Sequence, residues 1–147
     1  MMFIYILICV FFLILYAQSA IDKIQYKKEN LSWLQGHFKK SILANFVPGL
    51  FFALTLLELI TAFLFLINIV INVAPDIISN NLENFFLIES IGQMGAFYMS
   101  MITLLSLFFG QRIAKDYEGA KTIAIYFTLN IVAIILVLEY LNGIVLI

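Results

Sequence analysis

The sequence predicts an all-α integral membrane protein: an antiparallel bundle of four transmembrane helices with an amphipathic helix in its first, cytoplasmic connection. Of its 147 residues, 64% are hydrophobic and 12% charged, and the mean hydropathy is +1.07, which is outside the range of soluble domains. Four apolar stretches are each long enough to cross a bilayer. Lys and Arg are restricted to two of the three connections between them. This length predicts a single membrane domain over residues 1–147.

The first predicted transmembrane helix covers residues 1–20. The segment is apolar up to Ala17 and is followed by Gln18, Ser19 and Ala20. Small residues after an apolar core also occur at the cleavage site of a signal peptide, but no Lys or Arg precedes this core. We therefore interpret residues 1–20 as a retained transmembrane helix.

The first connection, residues 21–41, gathers five of the eight basic residues and the single histidine, His37. Apolar residues recur in and just after it at spacings of three and four, which is typical of an amphipathic helix in the headgroup region: Leu31, Leu34, Phe38 and Ile42. Trp33 lies beside them as an interfacial anchor. We favour a solvated basic connection over a lipid-recognition site.

The other three predicted spans cover residues 46–72, 85–110 and 120–146. Pro48 and Gly49 stand at the start of the second span, where a missing backbone N–H costs least. The connection before the third span is polar and lacks Lys and Arg, and Asn84 suits the N-cap of the third helix. The three connections thus carry five, zero and three basic residues. The positive-inside rule then predicts that the first and third connections are cytoplasmic and that both termini are outside.

Glu58 is the one acid near the middle of an apolar span. A charge at that depth costs about 2.5–3.5 kcal/mol on insertion scales. No Lys, Arg or His lies in the interior of a predicted span, where it could pair with Glu58. We therefore expect Glu58 to be protonated at neutral pH and hydrogen-bonded to Thr, Asn or Gln on a facing helix. Such a group can serve as a proton relay or ligand site, or can simply hold helices together, and the second interpretation is favoured.

Other polar residues lie on the same face of the second span as Glu58, or on the third and fourth spans. The candidate intramembrane polar site consists of Thr55, Glu58, Thr61, Asn68, Glu89, Gln93 and Asn130. On the third span, Gly92, Ala96 and Ser100 form a ladder of small residues that permits close helix packing. We expect the polar faces of the second and third spans to pack together. On the fourth span, Asn130 and Glu139 lie on opposite sides.

Few ligand-binding chemistries fit this sequence. The single histidine lies outside the spans, so the axial ligands that a membrane haem generally needs within its spans are missing. One cysteine, Cys9, provides no zinc or iron–sulfur spacing. Basic residues form no stripe or tail suited to nucleic acid. The sequence therefore predicts no cofactor, no metal site and no nucleic-acid partner, and it favours a non-catalytic protein.

Several short sequence motifs resemble those of a known protein family. Pro48, the Glu58-Leu59 pair, residues 111–120 and the Tyr126-Phe127 pair resemble the DoxX-like membrane proteins of bacteria. The resemblance covers roughly residues 46–130, and the most specific part is the loop containing Arg112, Lys115 and Asp116. The chain departs from the family pattern after Leu59, where small residues usually follow, and in lacking an Arg in the first helix.

The resemblance implies a four-helix protein of the bacterial inner membrane, in a family whose named member is a small subunit of a thiosulfate:quinone oxidoreductase. It implies roles for Glu58, Arg112 and Asp116. Two functional hypotheses follow. The first is a non-catalytic accessory, structural or assembly subunit, with the bilayer and other membrane subunits or further copies as partners. The second is a quinone-linked or proton-translocating component that uses Glu58.

Overall fold

The computed structural model describes the backbone of residues 2–73 and 85–145 and the side chains of residues 2–73 and 92–139. The described helices are α1 (Met2–Gln25), α2 (Lys27–His37), α3 (Val47–Val73), α4 (Phe85–Ala114) and α5 (Tyr117–Val145). A short 3-10 helix at Ala44–Phe46 leads into α3. Four of these helices are long and apolar enough to cross a membrane. The predicted fold class is thereby confirmed, and the chain is a multi-pass membrane protein.

Three helices extend by three or more residues beyond the apolar segments that predicted them. α1 continues past Ala20 to Gln25, α4 continues past Gly110 to Ala114, and α5 begins at Tyr117. Hydropathy marks the part of a helix that lies in hydrocarbon, whereas a helix can continue into the headgroup region, where long basic side chains reach water. The extension of α1 matters most because it makes Lys23 part of a transmembrane helix.

The first connection is mostly helical. Only Tyr26 separates α1 from α2, and the hydrogen bonds from Tyr26 N–H to Asp22 O (2.9 Å) and from Asn30 N–H to Tyr26 O (3.0 Å) keep a helical pattern across the junction. The Asn30 side-chain amide also donates to both of these carbonyl oxygens. The predicted amphipathic helix is therefore present, but it ends at His37, and Ile42 beyond it is 82% exposed.

Helices α1, α3, α4 and α5 pack in chain order, each antiparallel to the one before. Stacked and edge-to-face rings join the first three near the bundle centre. Phe12 stacks on Phe65 with ring centroids 5.3 Å apart, and Phe97 meets Phe65 edge-on at 5.1 Å. α1 and α5 touch at few positions, which leaves an apolar groove between them.

A tight turn joins α4 to α5. Asp116 N–H donates to Gln111 O at 2.9 Å and Lys115 N–H donates to Arg112 O at 3.2 Å, which is the Schellman pattern. Lys115 takes the left-handed position of this motif with φ of 63°. The Asp116 carboxylate then caps α5 by accepting from Gly119 N–H at 2.8 Å.

Candidate functional site

An ion pair inside the bundle joins α1 to α3. Lys23 Nζ lies 2.9 Å from both Oε1 and Oε2 of Glu58. Ser19, one turn before Lys23, donates to Glu58 Oε1 at 3.0 Å and accepts from Lys23 Nζ at 2.7 Å. The side chain of Glu58 is 1% exposed and that of Lys23 is 19% exposed. The three side chains therefore form a closed network in which each charge has an opposite charge and a hydroxyl beside it.

The expectation that Glu58 has only neutral partners is wrong. A basic residue does reach it, because α1 extends beyond the apolar segment and carries Lys23 on the face that packs against α3. The neighbouring hydroxyl comes from Ser19 and not from the Thr, Asn or Gln side chains expected on a facing helix. Lys23 Nζ contacts both carboxylate oxygens, so a cation and a hydroxyl, rather than neutral groups alone, accompany Glu58 in the bundle interior.

Glu58 lies near the middle of α3, 11 residues after Val47 and 15 before Val73. At 1.5 Å per residue, these separations are roughly 17 and 23 Å. Lys23 lies two residues before the end of α1 and reaches this level with its long side chain. The ion pair is thus inside the bundle, and the Lys23 side chain reaches it from the basic end.

Four more polar contacts join neighbouring helices. Thr61 and Thr103 hydroxyls are 3.0 Å apart between α3 and α4, and Tyr16 and Ser100 hydroxyls are 2.7 Å apart between α1 and α4. Two amides donate to backbone carbonyls on the next helix, Asn68 to Gln93 O at 3.4 Å and Asn130 to Phe97 O at 3.1 Å. Two of these contacts, Thr61 to Thr103 and Asn68 to Gln93 O, join the predicted polar faces of α3 and α4.

Thr55 of the predicted polar site makes no hydrogen bond to another helix among the described residues. Thr55 is buried but donates only to Phe51 O of its own helix. The Glu89 side chain lies outside the described residues. Glu139 is exposed on the side of α5 away from buried Asn130.

The predicted ladder of small residues on α4 faces the inside of the bundle, where Ser100 contacts Tyr16 of α1. Ala96 and Ser100 are fully buried, and a Cβ added to Gly92 would lie 3.8 Å from Asn68 Oδ1. A methyl group at Gly92 would thus make an ordinary van der Waals contact with α3, and the close helix packing expected from this ladder stays a prediction.

The loop motif has a structural arrangement of its own. The Arg112 guanidinium lies 4.9 Å from the centre of the Tyr117 ring, and Lys115 is exposed at the left-handed turn position. Asp116, besides capping α5, lies 3.5 Å from His37 Nε2, which also lies 3.2 Å from Gln111 Oε1. The motif thus ties α2 to the α4–α5 turn.

Lys23, Ser19 and Tyr16 are the residues that sequence reasoning missed. A signal was present: the buried face of α1 recurs at alternating spacings of four and three from Tyr5 through Cys9, Phe12 and Tyr16. Continued by the same rule, this series reaches Ser19 and then Lys23. The apparent end of the apolar segment concealed the continuation.

Neither a family model, nor a curated protein, nor a solved structure matches the chain. The fold and the geometry define its class: a multi-pass, four-span helical membrane protein with an ion pair inside the bundle. Among the described residues, no three His, Cys, Asp or Glu side chains are grouped so as to hold a metal ion.

Proposed function

We propose that this protein is a non-catalytic accessory, structural or assembly subunit of a larger membrane complex, in a bacterial inner membrane with both termini in the periplasm. The observation that carries the proposal is that buried polar side chains form contacts between helices of this same chain. Lys23, Glu58, Thr61, Tyr16 and Asn130 are engaged in contacts between helices of this chain. Such contacts make a bundle rigid and leave its apolar exterior for partners.

The groove between α1 and α5 provides a place to test this role. Its walls include Leu7 and Phe11 on α1 and Leu129 and Val132 on α5. α1 packs on α3 and α5 packs on α4, so the groove between α1 and α5 is an open apolar surface that another transmembrane helix can contact.

The experiment is affinity purification of the chain from membranes solubilised in mild detergent. The proposal expects stoichiometric co-purification of a larger membrane complex. Val132→Trp, which fills the groove, should reduce that co-purification, whereas Val70→Trp, at an exposed position on α3, should not. Recovery of an isolated oligomer with no other subunit would overturn the proposal.

A second candidate function is proton translocation or quinone-linked chemistry at Glu58, as the DoxX-like resemblance implies. The observation that favours it is the Lys23–Glu58 pair itself, since ionisable groups inside a membrane often mark proton pathways. Purified chain in liposomes would then show proton flux that Glu58→Gln abolishes and that Glu118→Gln, an exposed acid at the basic end, leaves intact. The same proton flux in the unmodified protein and in both variants, or no flux in any of them, would exclude proton translocation at Glu58.

A further inference from the structure

Two cavities lie at the basic end of the bundle: one is enclosed by residues 34–43, the first turns of α3 and the last turns of α4, and the other lies between residues 36–41 and the end of α4. The first, of about 250 Å³, is lined almost wholly by apolar side chains that include Leu34, Phe38, Leu54 and Phe109. The second, of about 270 Å³, is lined by His37, Lys39, Lys40 and Lys115 together with small and apolar residues.

The cavities follow each other along α4 in a definite order. Ser106, Phe109 and Gly110 line the apolar cavity, and Ile113 to Lys115 line the basic one. At 1.5 Å per residue, their centres are roughly 8 Å apart along the helix axis. The apolar cavity lies toward the hydrocarbon and the basic cavity toward the headgroups. This order matches that of the acyl chain and the phosphate in a phospholipid.

The basic cavity has positive charge available for a ligand. No acid lines it, and in the described part of the chain no carboxylate lies within 4.0 Å of the ammonium groups of Lys39, Lys40 or Lys115. Asp116, the neighbouring acid, is held by Gly119 N–H and His37. The three lysines that line this cavity are therefore free of carboxylate partners in the described part of the chain.

Exposed aromatic residues place this region at the headgroup level. The Trp33 ring stacks on His37 with centroids 4.6 Å apart, and exposed Tyr117 lies under Arg112. Trp and Tyr concentrate where hydrocarbon meets headgroups, as do Lys and Arg with their charges toward water.

We propose that this pair of cavities, here called the lipid site, binds one anionic phospholipid from the leaflet at the basic end. Its phosphate lies against Lys39, Lys40 and Lys115, and part of an acyl chain enters the apolar cavity. Charge complementarity selects an anionic headgroup over a zwitterionic one, as basic pockets between membrane helices do.

The test is native mass spectrometry of the full chain in detergent with phosphatidylglycerol or phosphatidylcholine at equal concentrations. We expect one phosphatidylglycerol to be retained and its affinity to fall about tenfold or more in the triple variant K39Q/K40Q/K115N. The matched control K27Q/K28Q/K121Q removes the same charge from exposed positions at the same end and should change affinity less than about twofold. Equal losses in both variants, or equal retention of phosphatidylcholine, would overturn the proposal.

A second pair of variants tests the apolar cavity independently of the lysines. Ala53→Leu fills the cavity and should weaken phosphatidylglycerol retention several-fold, whereas Ala124→Leu, exposed on α5, should not. Inorganic phosphate should not displace the lipid at comparable concentration, because it lacks the chain. If circular dichroism shows that the lysine variant is unfolded, unchanged retention by folded Ala53→Leu would still refute the site.

Discussion

At the scale of single residues, the polar side chains inside the bundle explain how an apolar chain acquires a specific packing. Lipid-facing and helix-facing apolar side chains have similar environments, so apolar burial alone drives helix association weakly. Hydrogen bonds such as Tyr16 to Ser100 and Thr61 to Thr103 instead favour one arrangement of neighbouring helices. The Lys23–Glu58 pair does the same with full charges.

The contact between Tyr16 and Ser100 gives a prediction at this scale. Tyr16→Phe removes a buried hydroxyl that lies 2.7 Å from Ser100 Oγ. We expect the free energy of unfolding in detergent to fall by about 0.5–1.5 kcal/mol. Tyr98→Phe removes the same hydroxyl from an exposed position and serves as the control. Equal effects of the two substitutions would mean that the Tyr16 hydroxyl has no special role.

The sequence predicted much of the site but not its electrostatics. Thr61, Asn68, Gln93 and Ser100 were placed on inward faces by helical periodicity alone, and the structure buries all four. The partner of Glu58 was missed because Lys23 was counted as part of a connection. Hydropathy describes average burial along a segment and does not reveal how far a flexible lysine reaches back into the bundle.

At the scale of elements, the number and type of spans followed from composition, whereas their ends did not. Helix ends depend on local hydrogen bonds, as at the α4–α5 turn, where Lys115 adopts φ of 63° and Asp116 caps the next helix. A glycine at the left-handed position would have marked this turn in the sequence, but the chain has Lys there. The near-continuity of α1 and α2 was likewise hidden by the basic residues that flank Tyr26.

Two glycines provide a prediction for these elements. A Cβ on Gly119 would lie 2.5 Å from Asp116 Oδ2, so Gly119→Ala must displace the carboxylate that caps α5. A Cβ on Gly36 in α2 would meet nothing within 4 Å, so Gly36→Ala should show the usual gain of alanine over glycine in a helix, about 0.5–1 kcal/mol. We expect Gly119→Ala to be less stable than Gly36→Ala by about 1 kcal/mol or more in detergent unfolding experiments. Similar stabilities would argue against the cap.

At the scale of the whole molecule, the charges are strongly asymmetric. All eight basic residues lie in or beside α1–α2 and the α4–α5 turn, and contacts from His37 to Asp116 and Gln111 hold these two regions together. This asymmetry is the basis of the proposed orientation, in which the positive-inside rule places the basic end in the cytoplasm and both termini outside.

Cysteine labelling tests that orientation. Lys40→Cys and Glu118→Cys, each introduced with Cys9→Ala, place one thiol after α2 and one in the first turn of α5, which lie at the same end of the bundle. A membrane-impermeant thiol reagent should modify both in inverted membrane vesicles and neither in spheroplasts. Labelling of both only in spheroplasts would reverse the orientation. Labelling of one thiol from each side would contradict the four-span arrangement.

The central claim is that an ion pair between Lys23 and Glu58 fastens α1 to α3 inside a four-span bundle. A double-mutant cycle with Lys23→Met, Glu58→Gln and the combined variant measures it most directly, through free energies of unfolding in the same detergent. We expect Lys23→Met alone to destabilise the protein by about 2 kcal/mol or more, because it leaves a carboxylate buried without its partner. The combined variant should recover much of that loss. Additivity of the two single effects within about 0.5 kcal/mol would contradict the claim.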